Sequence, residues 1–406
     1  MPSKMRPFGS VITVDAARAI LDTTGAPIAR TEKMRLTDAN GRVLAADVIA
    51  HDDVPPFARA GMDGYAVRAS DTRGASRTNP RRLVKSGTLY TGQVSPIPVR
   101  EGQCIEISTG APMPDGADAV VMVEETDVDA TDIVRIFAEV QPLQNVGRQG
   151  ADIQNGQIVV SAGETLNSSR IGALAAVGTV WVEVYDRPRV AILSTGNEVV
   201  PPGDHLGPGQ IYDINRFTIS AVVSENGGIP IPYPPAPDSL DALLSLFGDL
   251  LTCDIIVFSG GSSVGERDLV RDAIESKGRL LFHGVAMKPG KPTGLGIVEG
   301  RPVFAMPGYP TSCLSNAHML LAPLLRRLAR LPAKVSKTIT LPLAQRIVSA
   351  SGRHQFYTVR IANGTAVPAF KASGDITSMS RADGYIEIAA NVDQVEAGTP
   401  VDVTLF

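Results

Sequence analysis

The chain has 406 residues, 44% hydrophobic and 20% charged, so it can bury a sizeable core and is neither disordered nor fibrous. Its 38 Lys and Arg stand against 42 Asp and Glu, and a net charge of −4 excludes a global basic field for nucleic acid. Three cysteines, Cys104, Cys253 and Cys313, lack any CxxC spacing, fit neither a disulfide framework nor a zinc site, and read as buried thiols.

The apolar stretch after Lys4 and Arg6 is broken by Asp15 before it reaches the length of a signal core. No run approaches the ~18 apolar residues of a membrane helix. A cytoplasmic protein with no membrane or nucleic-acid partner is expected, and at roughly 150 residues per domain the length points to two or three domains.

In chain order, Thr13 to Leu21 reads as a short capped helix. From Arg42 to Val140, short β-like runs (Val43–Ile49, Cys104–Ile107, Ala119–Val123, Ile133–Val140) alternate with Gly, Pro and Asp clusters, the pattern of a β-rich module. Ser168 to Val177 reads as a second helix. After Pro188 the register changes. Val190–Leu193 is a buried strand leaving into Ser194-Thr195-Gly196. Asp213 and Asp238 each stand as N-caps of helical segments, the first stopped by Gly227-Gly228, the second carrying Leu240, Leu243, Leu244, Phe247 and Leu250. Asp254–Ser259 and Val303–Met306 are further buried strands, and a long helix runs through Leu314, Leu321 and Leu328. Strands alternating with helices predict parallel βα units in a doubly wound sheet. From Lys337 onward the β pattern returns, as a small C-terminal domain.

In such a sheet, ligands bind beyond the carboxyl ends of the strands. Three loops belong there: Ser194–Glu198, Gly260–Asp268 and Pro307–Ser312. Their glycines open backbone N–H groups and their hydroxyls add donors, which suits a phosphate-bearing ligand; Thr195, Gly260, Gly261, Ser262, Ser263, Gly265, Pro307 and Pro310 are the candidates. Lys288 and Lys291, each before a proline, are held on an extended strut and would neutralise an oxyanion. Asp213 and Asp238 are explained as caps and are also candidates for the substrate site; Glu198 and Asp268 have no capping role in the pattern and are candidates for holding magnesium. Gly261–Gly265 also matches G-x-S-x-G, with Ser263 as a hydrolase nucleophile, but no base or oxyanion loop accompanies it.

Seven strings, in order, resemble the MoeA/gephyrin E-domain family, the molybdopterin molybdenumtransferases. They are Pro55–Phe57 through Gly61–Arg68, Ser108–Pro112, Ser194–Glu198, Gly209–Asp213, the Gly260 loop, Lys288–Pro292 and Pro307–Pro310. The resemblance covers nearly the whole chain. It implies a multidomain α/β and β fold: a doubly wound parallel sheet of molybdopterin-binding type at 187–332, a β-rich insertion at 55–139, an extended N-terminal domain in two parts (1–54 and 140–186), and a C-terminal β-barrel at 333–406. It implies a homodimer with an active site shared between subunits, molybdopterin adenylyltransferase as upstream partner, and Mg2+ as cofactor. The implied reaction joins molybdate to adenylylated molybdopterin and releases AMP.

By resemblance Asp63 and Thr109 face the site from the partner subunit, and Arg148, Asp152 and Arg353 lie at matching positions. Lys288 and Lys291 would take molybdate or phosphate, Glu198 and Asp268 magnesium or an attacking oxygen, and the Gly260–Gly265 amides the pterin-side phosphate. The chain departs from the family at Tyr309, where a small amide is usual, at Phe57–Gly61, and in an arginine cluster reduced to Arg148. A second reading stands beside the enzyme: a divergent paralogue, tungsten-directed or binding the pterin nucleotide or a partner without turnover.

Overall fold

The computed structural model describes residues 11–130, 132–260 and 268–406. The chain forms two compact units: the described parts of Met1–Glu32, Gly41–Val43 and Val184–Phe406, and those of Lys33–Asn40 and Leu44–Glu183.

The second unit is built on a six-stranded sheet of order Ala119–Met122, Gly64–Val67, Gln103–Ile107, Arg81–Leu89, Ile133–Ile136, Thr126–Ala130. Both faces are covered, Tyr65, Val67, Cys104, Val121 and Val134 packing on one and Ala66, Leu89, Ile105, Ile107 and Val120 on the other, which is why the strands read as apolar runs. Gly64 lies so close to the Val121 carbonyl that no Cβ fits, and this close pairing fixes where the preceding Asp63 sits. Two of the expected runs are shorter than read. Val43–Ile49 is a strand only at Val48–Ile49, and Ile133–Val140 ends at Ile136, where the Phe137 N–H turns to the Glu125 carbonyl. The helix Ser168–Ala176 is capped by Asn167, whose side chain accepts from the Arg170 N–H.

In the first unit, helix α1 (Val14–Thr23) starts at Thr13, whose hydroxyl accepts from the Ala16 N–H, and buries Val14, Ala17 and Leu21. The sheet that follows contains β1 (Arg189–Ser194), β2 (Ile229–Pro232), β3 (Ile255–Ser259), β4 (Gly278–His283), β6 (Gly294–Val298) and β7 (Arg301–Met306), with the two-residue strand β5 (Met287–Lys288) outside it. The order is β2-β1-β3-β7-β6-β4. The first four strands are parallel, as expected; β6 and β4 are antiparallel additions, so the sheet is mixed. Helices α2 (Asn215–Glu225), α3 (Leu240–Leu250) and α4 (Leu269–Lys277) cover it. Val190, Ile192, Val257 and Phe304 face one core, and Ala191, Leu193, Ile256 and Phe258 the other, where Phe247 of α3 lies 5.8 Å from the Phe258 ring. Each such fully buried Phe or Leu contributes roughly 1.5–3 kcal/mol.

The long helix expected through Leu328 is interrupted. It runs as α5 (Pro310–Asn316), widens to a π-turn at Ala317–Leu321, and resumes as α6 (Ala322–Leu328). Pro323 accounts for the widening: it has no N–H to give to the preceding turn and its ring crowds a carbonyl there. Strands β8 (Thr338–Pro342), β9 (His354–Ala362), β10 (Thr365–Pro368), β11 (Gly384–Ile388) and β12 (Pro400–Leu405) then form the C-terminal barrel: β9-β11-β12-β8 are paired in that order, β10 pairs β9, and the Leu343–Ala366 bridge closes the ring. Strand β5 pairs in parallel with β9, so Lys288 is tied to this barrel.

Candidate functional site

Ser194, Ser259 and Met306, the last residues of β1, β3 and β7, stand side by side in register, so the turns that follow them emerge at one edge. Backbone bonds lace these turns together: the Thr195 N–H donates to the Ser259 carbonyl at 2.8 Å and the Gly260 N–H to the Met306 carbonyl at 3.2 Å. A Cβ on Gly260 (φ +92°) would lie 2.5 Å from the Thr195 carbonyl oxygen, so only glycine permits this approach. Pro307 is buried behind the edge, and Gly308 and Tyr309 are exposed on it, Tyr309 to 69%. Pro310 opens α5.

Beneath the edge lies a buried polar layer. Asp213 Oδ1 accepts from the Ser194 hydroxyl at 2.8 Å and from the Arg216 N–H at 3.1 Å, which caps the start of α2 as expected. Arg216 Nε stands 3.5 Å from Asp213 Oδ2. Asn215 Nδ2 donates at 2.7 Å to both the Ser259 hydroxyl and the Gly308 carbonyl, fastening the β3 turn to the β7 turn. Among the described residues, Thr195 Oγ1 and Asn215 Oδ1 are buried with no hydrogen-bond partner, leaving polar atoms at the site for a ligand or water to satisfy. The neighbouring Cys313 thiol is buried and pushed up to about 12, so it is inert as a nucleophile.

Three carboxylates stand on or beside this edge in different settings. Glu198 is exposed, its carboxylate folded against the α-carbon side of Gly196. Asp238 is carried to the edge by the Thr195–Ala236 bridge; burial, and then the charge of Glu198, hold its carboxyl above the ordinary range. Asp238 is not the cap of α3, however: Ser239 is, accepting from the Ala242 N–H. The capping role falls instead to Asp268, contrary to the sequence pattern. Its Oδ1 accepts from the Arg271 N–H at 3.1 Å at the start of α4, and its Oδ2 lies 2.7 Å from His283 Nε2 at the end of β4. Gly261, Ser262, Ser263 and Gly265 lie outside the described residues, and so does the G-x-S-x-G reading that rests on them.

Lys288 and Lys291 are both partly buried on the turn between β5 and β6. The Asn316 side chain at the end of α5 donates to the Gly290 carbonyl between them at 2.9 Å, so the lysine turn and the Pro307–Gly308 turn share one helix. Arg353 is exposed one residue before the His354–Met287 pair of β9 and β5, two residues before Gln355, the register partner of Lys288.

The remaining candidates lie in the other unit. The Thr109 N–H donates to Asp63 Oδ1 at 2.7 Å, and Thr109, through its backbone and then its hydroxyl, holds this exposed carboxyl below its ordinary range. Arg148 and Asp152 are both exposed, flanking the tight turn at Gly150.

Residues 12–178 match the family described as MoeA N-terminal region (domain I and II), 191–327 the probable molybdopterin binding domain, and 340–406 the MoeA C-terminal region (domain IV). Molybdopterin molybdenumtransferase 2 of Mycobacterium tuberculosis is 35% identical over 91% of this chain and 93% of its own length. The chain belongs to the MoeA family. A molybdopterin molybdenumtransferase of Staphylococcus epidermidis is 30% identical over 92% of this chain and 90% of its own length. A crystal structure titled molybdopterin biosynthesis MoeA protein, from Pyrococcus horikoshii, superposes with a TM-score of 0.85 at 38% identity, covering 98% of this chain and 99% of that one.

In this MoeA chain, sequence reasoning missed three polar residues that organise the edge: Asn215, His283 and Asn316. Asn316 carries little signal in the sequence, since Ser312, Ser315 and His318 stand in the same stretch.

Proposed function

We propose that the chain is a molybdopterin molybdenumtransferase, joining molybdate to adenylylated molybdopterin with release of AMP. The observation that carries this reading is the lateral register of Ser194, Ser259 and Met306, which gathers three glycine-bearing turns at one edge of a sheet whose β7 turn shares α5 with the lysine turn. Membership of the MoeA family supplies the substrate class.

Breaking the phosphoanhydride beside an incoming dianion concentrates negative charge, so the residues act by positioning and neutralisation. Lys288 and Lys291 bind the oxyanion, with Arg353 beside them. Gly260, with the Gly261, Ser262, Ser263 and Gly265 positions of its loop, cradles the pterin-side phosphate, and Thr195, Asp213, Pro307 and Pro310 shape the pocket floor. Among the described residues no three His, Cys, Asp or Glu side chains form a ready-made metal cage. Mg2+ is commonly held by one or two carboxylates together with substrate phosphate and water. Glu198 and Asp268 are the residues assigned to it, and Asp238, whose carboxyl is held above its ordinary range by burial and then by the Glu198 charge, is assigned to the substrate. When bound, the ion neutralises phosphate charge and orients the anhydride.

The working form in this reading is a cytoplasmic homodimer. Asp63 of the partner subunit and Thr109 of the partner subunit complete the site, Arg148 and Asp152 are substrate contacts, and a molybdopterin adenylyltransferase supplies the adenylylated substrate. Incubating the full chain with adenylylated molybdopterin, Mg2+ and molybdate tests it. AMP release that requires molybdate supports the transferase. Tight binding without AMP leaves the scaffold, and AMP release driven by tungstate in preference to molybdate leaves the tungsten-directed paralogue.

A further inference from the structure

The turn that carries both lysines leaves β5 at Lys288, reverses at Gly290 (φ +100°) and re-enters the sheet as β6 at Gly294. Its backbone is held at its ends: the Val285 and Thr293 N–H groups both donate to the Lys291 carbonyl, at 3.0 and 2.9 Å. Its apex is held by two side chains, Asn316 and Thr293. Asn316, fully buried, donates from Nδ2 to the Gly290 carbonyl at 2.9 Å and to the Thr293 hydroxyl, which itself donates to the Gly290 carbonyl at 2.8 Å. The carboxamide packs flat on the glycine, so that a Cβ there would lie 2.5 Å from Asn316 Oδ1.

Two features show that Asn316 is not a neutral filler of the core. Its Oδ1 is buried with no hydrogen-bond partner among the described residues, a cost to stability that an apolar side chain would avoid. It also stands at the last α-helical position before the π-turn, on the helix that begins just after the Pro307–Gly308 turn. A rigid element thus runs from one edge turn to the apex between the lysines.

We propose that Asn316 is a positioning residue that presets the spacing of Lys288 and Lys291 for a tetrahedral oxyanion. The proposal rests on the reading of those lysines as the anion site. With the apex unpinned, the turn that carries the lysines must be ordered on binding, and affinity for the anion falls while affinity for the rest of the substrate is kept.

The test measures molybdate binding to the full chain by equilibrium dialysis, and apparent KM values for molybdate and for adenylylated molybdopterin. Asn316→Leu is expected to weaken molybdate binding and raise its KM about tenfold, with less than a twofold change in the KM of the pterin substrate. Asn316→Thr, which returns one hydroxyl donor, is expected to recover at least half of the loss on a logarithmic scale. Should Asn316→Leu fail to fold, Thr293→Val and Asn316→Thr carry the same comparison, each with an expected loss of about threefold. Wild-type molybdate affinity in folded variants overturns the proposal, and so does an equal rise in both KM values, which marks a purely structural role. If Lys288→Ala binds molybdate as the wild type does, the anion-site reading itself fails; if Lys288→Ala loses binding and the Asn316 variants keep it, only the present proposal fails.

Discussion

Asp268 Oδ2 lies 2.7 Å from His283 Nε2 while Asp268 Oδ1 caps α4 through the Arg271 N–H. One carboxylate therefore serves the helix start and the end of β4, the strand that leads into the lysine turn, and both side chains are about 90% buried. Structural and chemical roles are separable here, because asparagine caps a helix nearly as well as aspartate. Asp268→Asn is expected to cost less than about 1 kcal/mol in urea unfolding, and Asp268→Ala about 1 kcal/mol or more. If Asp268 holds the magnesium ion as proposed, both are expected to lower AMP release at least about a hundredfold, since the charge that the cation would need is lost. Turnover near wild type in Asp268→Asn would remove Asp268 from the chemistry and leave it a cap.

Asp63 and Thr109 lie in one compact unit and the strand-end site in the other. If the active site is completed across a homodimer, two inactive variants can restore each other. Asp63→Ala and Asp268→Ala, each inactive alone, are expected to regain up to about a quarter of wild-type AMP release when unfolded together and refolded at equal amounts, because half of the random dimers are mixed and each holds one intact site. Continued inactivity of mixed dimers, verified by differential tagging, would place Asp63 and Asp268 in a single chain's site.

The apolar runs Val190–Leu193 and Val303–Met306 and the cap at Thr13 were legible because each makes a short local pattern: a strand buried on both faces, and a hydroxyl before an apolar period. The antiparallel pair β4 and β6 was not. Gly278, Gly294 and Gly296 interrupt it, and at Gly278 and Gly296 the backbones approach too closely for a side chain: a Cβ on Gly296 would lie 2.9 Å from the Arg279 carbonyl. Glycine placed for close approach reads as a loop in sequence. The cap of α3 was misplaced by one residue, to Asp238 instead of Ser239, since both are good caps and only the backbone conformation chooses between them. The edge turns themselves were legible from their glycines. The asparagines that pin them were not, because a single long-range contact leaves no periodic trace.

Glycine can be tested where it is required and where it is not. Gly260 has φ +92° and meets the Thr195 carbonyl, so Gly260→Ala is expected to destabilise by about 2–4 kcal/mol and to abolish substrate binding. Gly248, in the last turn of α3, has open space around its Cβ position and an ordinary backbone, so Gly248→Ala is expected to stabilise by about 0.5 kcal/mol with unchanged activity. Chemical denaturation of the two variants checks both. A Gly260→Ala protein as stable as wild type would mean that the β1 and β3 turns are not held together as described.

His318 lies in the π-turn with its ring 5.8 Å from that of Phe406, and burial, with a smaller push from the Lys334 charge, lowers it to about 4. An unfolded histidine titrates near 6.5, so between those values the unfolded chain binds a proton that the folded chain refuses. Stability is therefore expected to fall as pH drops from about 6.5 to about 4, by an amount on the order of 3 kcal/mol from this group alone. His318→Leu, apolar and of similar bulk, should remove that component. Urea unfolding of both proteins at pH 7, 6, 5 and 4.5 measures it as a difference, which cancels the carboxylates that titrate over the same range. Parallel pH profiles for the two proteins would show that His318 takes up its proton in the folded state and that the π-turn does not exclude it.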